Sequence, residues 1–370
     1  LLCIKIRRKW IVRFGAHHQI ENRFVTNKME RPLITFALFA YNQERFIREA
    51  VEGALSQTYF PLEVILSDDC SEDATFEIIK EMMKTYKGKH KVILNRNSKN
   101  LGIAGHINNV VRIAQGEWIV FASGDDISFP ERTSIHYETV KNEHNIFYSG
   151  GGTIIIDENG IQYKTCGLDF FGIMRLTGCM AAYHKSCFQM FGELDSNICF
   201  EDHVLPYRAL LLGKLKLINT PLVKYRCQTK DYFESYRKYS YFLKSLPYSF
   251  QQRKKDITLM IGKYSKETVE HLFNSADQYI YNLKPYHESD LVLNLYEASF
   301  LRRIKLIRSN SFLSTVRKAK LFLLSFKTIR IAYGKYLRYF KEKQSIPFDG
   351  QTLTVDLESV ITGNVKIETF

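Results

Sequence analysis

Residues 62–73 read Leu-Glu-Val-Ile-Leu-Ser-Asp-Asp-Cys-Ser-Glu-Asp, an apolar run that ends on two carboxylates and a polar turn. From Asp73 to Tyr86 the apolar residues return at helical spacing. The same order repeats on both sides of this stretch. Leu33 to Leu38 reads as a buried strand, followed by helical spacing over Glu44 to Leu55 that ends near Gln57. Lys91 to Leu94 reads as a third strand ahead of a helix over Ala104 to Ala114, and Glu117 to Phe121 as a fourth strand that runs into Asp125 and Asp126. Strands alternating with helices predict an α/β fold, a Rossmann-like, mostly parallel sheet covered on both faces. Such sheets take ligands at the carboxyl ends of their strands. Asp68 and Asp69 are thereby predicted to share one edge with Asp125 and Asp126.

The chain has 370 residues, 45% hydrophobic and 25% charged, with only 8 Pro, a globular composition that excludes a disordered, collagen-like or disulfide-stapled protein. Seven cysteines, odd in number and without a C-x-x-C pair, speak against a zinc ribbon and for a reducing compartment. The longest apolar stretch in the first half, Leu33 to Tyr41, is far short of a membrane span, and Leu1 to Trp10 is too basic for a secretory signal.

The net charge of +13 is unevenly spread. Residues 1–31 carry +6 and residues 301–343 carry +12, which leaves the rest at −5. A nucleic-acid reader would carry its basic face on the folded core, so no nucleic-acid partner is expected. Ala319, Phe322, Phe326, Ile329, Tyr333, Tyr336, Leu337 and Phe340 fall on one side of a helix, with Lys320, Lys327, Arg330, Arg338 and Lys341 on another. This basic amphipathic helix, around 315–343, suits either packing on its own domain or docking on an anionic membrane surface.

Beyond Pro130 a helix to about Glu143 precedes Ile146 to Ile156, and the turn Asp157-Glu158-Asn159-Gly160 suggests a hairpin. After about Thr229 the chain becomes rich in Tyr, Lys and Leu and reads as helical, with short strands in the last twenty residues. The organisation expected is a basic segment over 1–31, the α/β domain over 32–229 and a mainly helical C-terminal extension over 230–370.

Like charges gathered in a cleft repel unless a cation or hydrogen-bond donors compensate. Mg2+ or Mn2+ held by one or two carboxylates, with diphosphate oxygens and waters completing the shell, meets that need. A plainer account exists for each pair alone: Asp between strand and helix is commonly a turn or cap residue, and Ser71 or Asp73 is placed to cap the helix that follows. Two pairs at equivalent positions favour a site. Glu201 and Asp202 precede the apolar run Val204 to Leu212, where acids complement a helix dipole. His106, His136, His144 and His184 lack metal-ligand spacing.

Phe39-Ala-Tyr-Asn42 with Glu44, Leu55-Ser-Gln-Thr58, Leu66-Ser-Asp-Asp-Cys-Ser-Glu-Asp73, Asn100-Leu-Gly102 and Ala122-Ser-Gly-Asp-Asp126 stand in the order and spacing of one family. This segment resembles the nucleotide-sugar half of family 2 glycosyltransferases of the GT-A fold. The similarity continues through Gly178-Cys-Met-Ala181 and Phe200-Glu-Asp202 to Tyr225-Arg226, covering about 32–229. The resemblance implies that Asp69 bonds the nucleotide base, that Tyr41 flanks base or ribose, and that Asn100 and Gly102 line the nucleotide pocket. It implies Asp126 for the metal and Asp125 for ribose or nucleotide contact, with Asp202 as catalytic base and Glu201 as its support. Cys227 and Gln228 stand where many relatives carry a His that helps hold metal or diphosphate.

The expectation is therefore an inverting, metal-dependent transferase using a nucleoside-diphosphate sugar, a UDP-sugar first among donors. A glycan or lipid-linked glycan would be the acceptor, as in bacterial surface polysaccharide or O-antigen synthesis. It would be cytoplasmic, peripheral on the inner face of the cell membrane. Two rivals remain. A sugar-1-phosphate nucleotidyltransferase would want a Gly-rich basic loop after its first strand, where this chain has Ala40-Tyr-Asn-Gln-Glu44. A non-catalytic membrane-binding or nucleic-acid-binding module would need none of the acidic groups together.

Overall fold

A computed structural model describes residues 31–166, 173–176, 178–226, 232–272, 302, 304, 350, 352–361 and 366–369. The basic segment over 1–30, Cys227, Gln228 and the amphipathic helix at 315–343 lie outside the described residues. The chain divides into Leu1–Arg31 and Pro32–Phe370, and the fold below belongs to the second unit.

β1 (Ile34–Ala40), β2 (Leu62–Asp68), β3 (Lys91–Arg96) and β4 (Trp118–Ser123) form the parallel part of the sheet, in the order β3-β2-β1-β4. All seven residues of β1 are buried, and their side chains alternate between two cores. Phe36, Leu38 and Ala40 join the core under α1 (Ile47–Leu55) and α2 (Thr75–Thr85), whereas Ala37 and Phe39 face the core that includes α3 (Gly102–Ile113). A strand buried on both faces reads as a nearly continuous apolar run, here broken only by Thr35, which is why this one was legible. Ile47, Ala50, Val51 and Ala54 bury one stripe of α1 at helical spacing.

Past β4 the sheet turns mixed. β9 (Ala181–His184) pairs antiparallel with β4 and with β6 (Ile146–Ile156), and β6 runs parallel to β10 (Lys214–Arg226). β5 (Ile127–Ser128) adds to β10, and β7 (Gln162–Cys166) forms the expected hairpin with β6. β8 (Ile173–Leu176) pairs with β12 (Lys366–Thr369) in a separate two-stranded sheet. β11 (Thr352–Asp356) joins the main sheet antiparallel to β10, so this sheet reaches past residue 229 into the C-terminal stretch. The remaining described helices include α4 (Arg132–Val140), α5 (Ser186–Gln189), α6 (Leu205–Leu212) and α7 (Tyr232–Leu259).

Three helix starts differ from the sequence expectation: α2 begins at Thr75 rather than Asp73, and the differences at α1 and α3 come from side chains at the sheet edge. α1 begins at Ile47 rather than Glu44, because residues 42–44 are held in the loop after β1 by the loop after β2. Asn42 and Gln43 donate their N–H groups to Ser71 Oγ (2.9 Å) and Thr75 Oγ1 (2.7 Å), while Asn42 Oδ1 accepts from the Glu72 N–H at 2.9 Å. α3 begins at Gly102 rather than Ala104, its first turn fixed by the Leu101 N–H donating to Asp69 Oδ1 at 2.9 Å. Among the described residues no helix is long and apolar enough to cross a membrane.

Candidate functional site

β1 leaves toward β2 on one side, and the chain returns through β4 on the other, so the strand order reverses between β1 and β4. Such a reversal opens a crevice at the carboxyl ends. The last two carbonyls of β1 fix both acidic turns there: Phe39 O accepts from the Gly124 N–H (2.8 Å) and Ala40 O from the Asp69 N–H (2.9 Å). A Cβ at Gly124 would sit 2.3 Å from Gln43 Oε1 and 3.1 Å from the Ala40 Cβ, so a larger residue would push the second turn away from β1.

The two members of the first pair divide their work. Asp68 is fully buried and takes the Ser71 N–H at 3.0 Å, the Ser71 hydroxyl and the Arg96 guanidinium at 3.3 Å. It builds the turn. Asp69 accepts at Oδ1 from Asn97 Nδ2 (2.7 Å) and the Leu101 N–H (2.9 Å). Ala74 is the N-cap of α2; Asp73, rather than Ser71, supports its first turn by accepting from the Thr75 N–H at 2.9 Å, and the Ala74 N–H goes to Glu44 Oε2 at 3.0 Å. Asn100 Oδ1 accepts from the Gly102 N–H at 2.8 Å, and Tyr41 is exposed just beyond the end of β1. Gln57 is a structural rivet: buried, it bonds Gly53 O, Phe129 O and both the N–H and hydroxyl of Thr133, tying α1 to α4.

In the second pair Asp125 is half-buried and takes the Ser123 hydroxyl, whereas Asp126 is buried. Asp126 Oδ1 accepts the Arg226 N–H at 2.7 Å, and Oδ2 is buried without a hydrogen-bond partner. Burial, reinforced by the Asp125 charge, pushes the Asp126 carboxyl well above the usual range, against the Arg226 N–H, the nearby Cys179 thiol and the Arg132 charge. Arg132 is fully buried beneath it, donating to Ser128 Oγ at 2.9 Å and to Phe121 O, and burial pulls its guanidinium down to about 10.

Glu201 and Asp202 lie on a single 3-10 turn (Glu201–His203) ahead of α6. Gly178 makes room for them, since a Cβ there would lie 1.7 Å from Glu201 Oε1. Asp202 is buried and its Oδ1 has no hydrogen-bond partner. Burial, and then the neighbouring Glu201 charge, push its carboxyl well above the ordinary range, with Arg253 opposing. The Cys179 thiol feels Asp126, and Tyr148 feels both that thiol and Asp202. Electrostatic influence thus runs from Asp126 through Cys179 and Tyr148 to Asp202.

A buried carboxylate oxygen without a donor is costly, which makes Asp126 Oδ2 and Asp202 Oδ1 candidate contact points for a ligand. Among the described residues no three His, Cys, Asp or Glu side chains converge to hold a metal ion unaided. Asp126 Oδ2 nevertheless suits Mg2+ or Mn2+, which take one or two carboxylates and fill the rest of the shell with substrate phosphates and water.

Sequence reasoning missed the arginines. Arg226 is buried at the end of β10 and holds the site from three sides. It donates from Nε to Asp125 O (2.9 Å), from one terminal nitrogen to Asp157 O (3.2 Å) and Glu158 O (3.1 Å), and from the other to Glu49. Its guanidinium also lies 4.6 Å from the Phe46 ring centroid. Its only sequence signal was a place in the Tyr225-Arg226 pair of the resemblance.

The glycosyl transferase family 2 model matches residues 35–191. EpsE of Bacillus subtilis (strain 168) is 34% identical over 131 residues, which are 35% of this chain and 46% of EpsE. The UDP-Glc:alpha-D-GlcNAc-diphosphoundecaprenol beta-1,3-glucosyltransferase WfaP of Escherichia coli is 33% identical over 117 residues, 32% of this chain and 44% of WfaP. The matched part thus spans under half the length of each of these two relatives. Among solved structures, the mannosyltransferase PcManGT from Pyrobaculum calidifontis, in complex with GDP-Man and Mn2+, shares 14% identity at a TM-score of 0.48, over 85% of this chain and 87% of that one. The stretch that builds the parallel half of the sheet and both of its acidic turns lies within the residues that match the glycosyl transferase family 2 model and is similar to EpsE.

Proposed function

We propose that the chain is an inverting, metal-dependent glycosyltransferase that moves a sugar from a UDP-sugar to a hydroxyl of a glycan or lipid-linked glycan. What supports this reading is a pair of buried carboxylate oxygens without a hydrogen-bond partner, Asp126 Oδ2 in the turn after β4, beside the strand-order reversal, and Asp202 Oδ1 on the turn ahead of α6. Bacterial surface polysaccharide synthesis, at the inner face of the cell membrane, is the setting in which such a donor and acceptor meet.

Asp126 Oδ2 would hold Mg2+ or Mn2+, and the bound cation would offset charge developing on the departing diphosphate. Asp125, half-buried beside it, is left to the ribose or nucleotide. Asp202 takes the proton of the acceptor hydroxyl as that oxygen attacks the anomeric carbon, and its raised pKa makes it a stronger base than an exposed Asp. Attack opposite the leaving diphosphate inverts the centre. Glu201 supports this by raising the Asp202 pKa through its own charge.

At the other end of the crevice, Asp69 Oδ1 is committed to Asn97 and Leu101, leaving Oδ2 as an acceptor for the base. Uracil presents a single ring N–H donor to such a group. Guanine presents two adjacent donors, and adenine and cytosine present an acceptor at the corresponding ring nitrogen. Tyr41 is exposed to stack on base or ribose, with Asn100 and Gly102 lining the same pocket.

A panel of nucleotide sugars with Mg2+ or Mn2+, scored for donor hydrolysis and thermal stabilisation, tests the reading. Turnover and stabilisation by one UDP-sugar are expected. Stabilisation without turnover by any donor would instead mean a binding module on a transferase-like core.

A further inference from the structure

α7 begins beyond the family 2 match, yet one of its faces is spent on the segment that carries Glu201 and Asp202. Ser245, Gln252, Arg253 and Asp256 follow one another at helical spacing. Ser245 Oγ accepts the Cys199 N–H at 3.2 Å, and Gln252 Oε1 accepts the Asp195 N–H at 3.2 Å. Asp256 pairs with Arg208 of α6, Nε to Oδ2 at 2.8 Å, both side chains fully buried. Arg253 donates from Nε to the carbonyl of His203, the last residue of the acidic turn. Its guanidinium lies 5.0 Å from the Tyr207 ring centroid and 5.5 Å from that of Phe250.

We propose that Arg253 is a positioning residue for the transfer: its grip on the His203 carbonyl holds the Glu201–His203 turn so that Asp202 meets the acceptor hydroxyl. This inference rests on the function proposed above. A 3-10 turn is a short element with few internal hydrogen bonds, here Val204 N–H to Glu201 O at 2.9 Å and His203 N–H to Phe200 O at 3.3 Å. Such a turn depends on outside contacts to keep one orientation. The flanking rings restrict the guanidinium, so little is lost when it makes its bond. The positive charge also favours the ionised form of Asp202, as a base requires.

The experiment uses the full chain as wild type, Arg253→Gln, Arg253→Lys and Lys266→Gln, the last a control whose side chain is 90% exposed. With the donor that the wild type turns over, Arg253→Gln is expected to lower kcat about 10- to 100-fold, the effect of losing one charge-assisted hydrogen bond, with the donor KM unchanged within about twofold. Arg253→Lys, which keeps charge and donor but not the planar fork, is expected to recover part of the loss. Hydrogen exchange at Val204 is expected to quicken in Arg253→Gln and to stay at the wild-type rate in Lys266→Gln. Wild-type kcat in Arg253→Gln, or a loss shared equally by kcat and donor binding and not relieved by Lys, would overturn the proposal, as would unchanged exchange at Val204. Absence of turnover by the wild type with every donor would instead strike the proposed function, and the exchange measurement would still decide whether Arg253 clamps the turn.

Discussion

The backbone N–H of Arg226 donates to Asp126 Oδ1 at 2.7 Å and joins the last residue of β10 to the turn after β4. This bond satisfies one carboxylate oxygen and aims the other, Oδ2, into the buried cluster shared with Cys179 and Arg132. The arrangement is unfavourable for the chain by itself, because burial keeps the charged form scarce. Under the proposed function it becomes favourable when a cation binds.

Asp126→Asn is therefore expected to stabilise the metal-free protein while ending its activity. The Asp126 carboxyl titrates above its unfolded value, so its contribution to stability is full below the ordinary carboxylate range and is lost as pH rises through the raised value. The Asn variant should melt higher than wild type at pH 8, by roughly 1–3 kcal/mol, with the gap closing toward pH 4. Thermal melts at both pH values without divalent cations check this.

Asp202→Asn should lower turnover by about 10²- to 10⁴-fold and leave donor affinity in place, as for a base that acts only on the acceptor. In the wild type the acid limb of kcat should lie above the usual carboxylate range, because burial and Glu201 raise the Asp202 pKa more than Arg253 lowers it. Activity thus rises with pH through that value, and Glu201→Gln should move the limb to lower pH. Rate profiles with saturating donor measure both.

Asp256→Ala leaves the Arg208 guanidinium fully buried without its bidentate partner, its remaining bonds being to the Cys187 and Gly192 carbonyls. A loss of about 3–5 kcal/mol is expected from denaturant unfolding. The double variant Arg208→Met, Asp256→Leu removes both charges and should recover most of it.

The parallel half of the fold was legible because β1 and β2 are buried on both faces and read as mainly apolar runs, broken in β1 by Thr35 and in β2 by Glu63 and the polar end Ser67-Asp68. The acidic turns were legible because Asp69 directly follows the end of β2 and Asp125-Asp126 stand within three residues of the end of β4. Their internal division of labour was not. Asp68 and Asp69 are adjacent and chemically identical, and only the Arg96 and Ser71 contacts assign Asp68 to the turn. Buried Arg132 and Arg226 look in a sequence like any surface arginine, since burial is decided by partners up to 177 residues away. β11 pairs with β10 across more than a hundred residues of chain, a contact that no local pattern announces.

Asp69→Asn should weaken uridine nucleotide binding about 10- to 100-fold, because the amide can turn its NH2 toward the base and meet the ring N–H with a second donor. Fold stability should change little if the amide keeps its oxygen on Asn97 and Leu101. Nucleotide competition against a fluorescent UDP analogue, set beside a melt, separates the two effects.

The most direct test of the central claim is calorimetric titration of UDP into wild type and Asp126→Ala, each with and without Mn2+. Binding that tightens at least tenfold with Mn2+ in wild type, and gains nothing from Mn2+ in the variant, is the predicted result. Equal gains from Mn2+ in both proteins would contradict it.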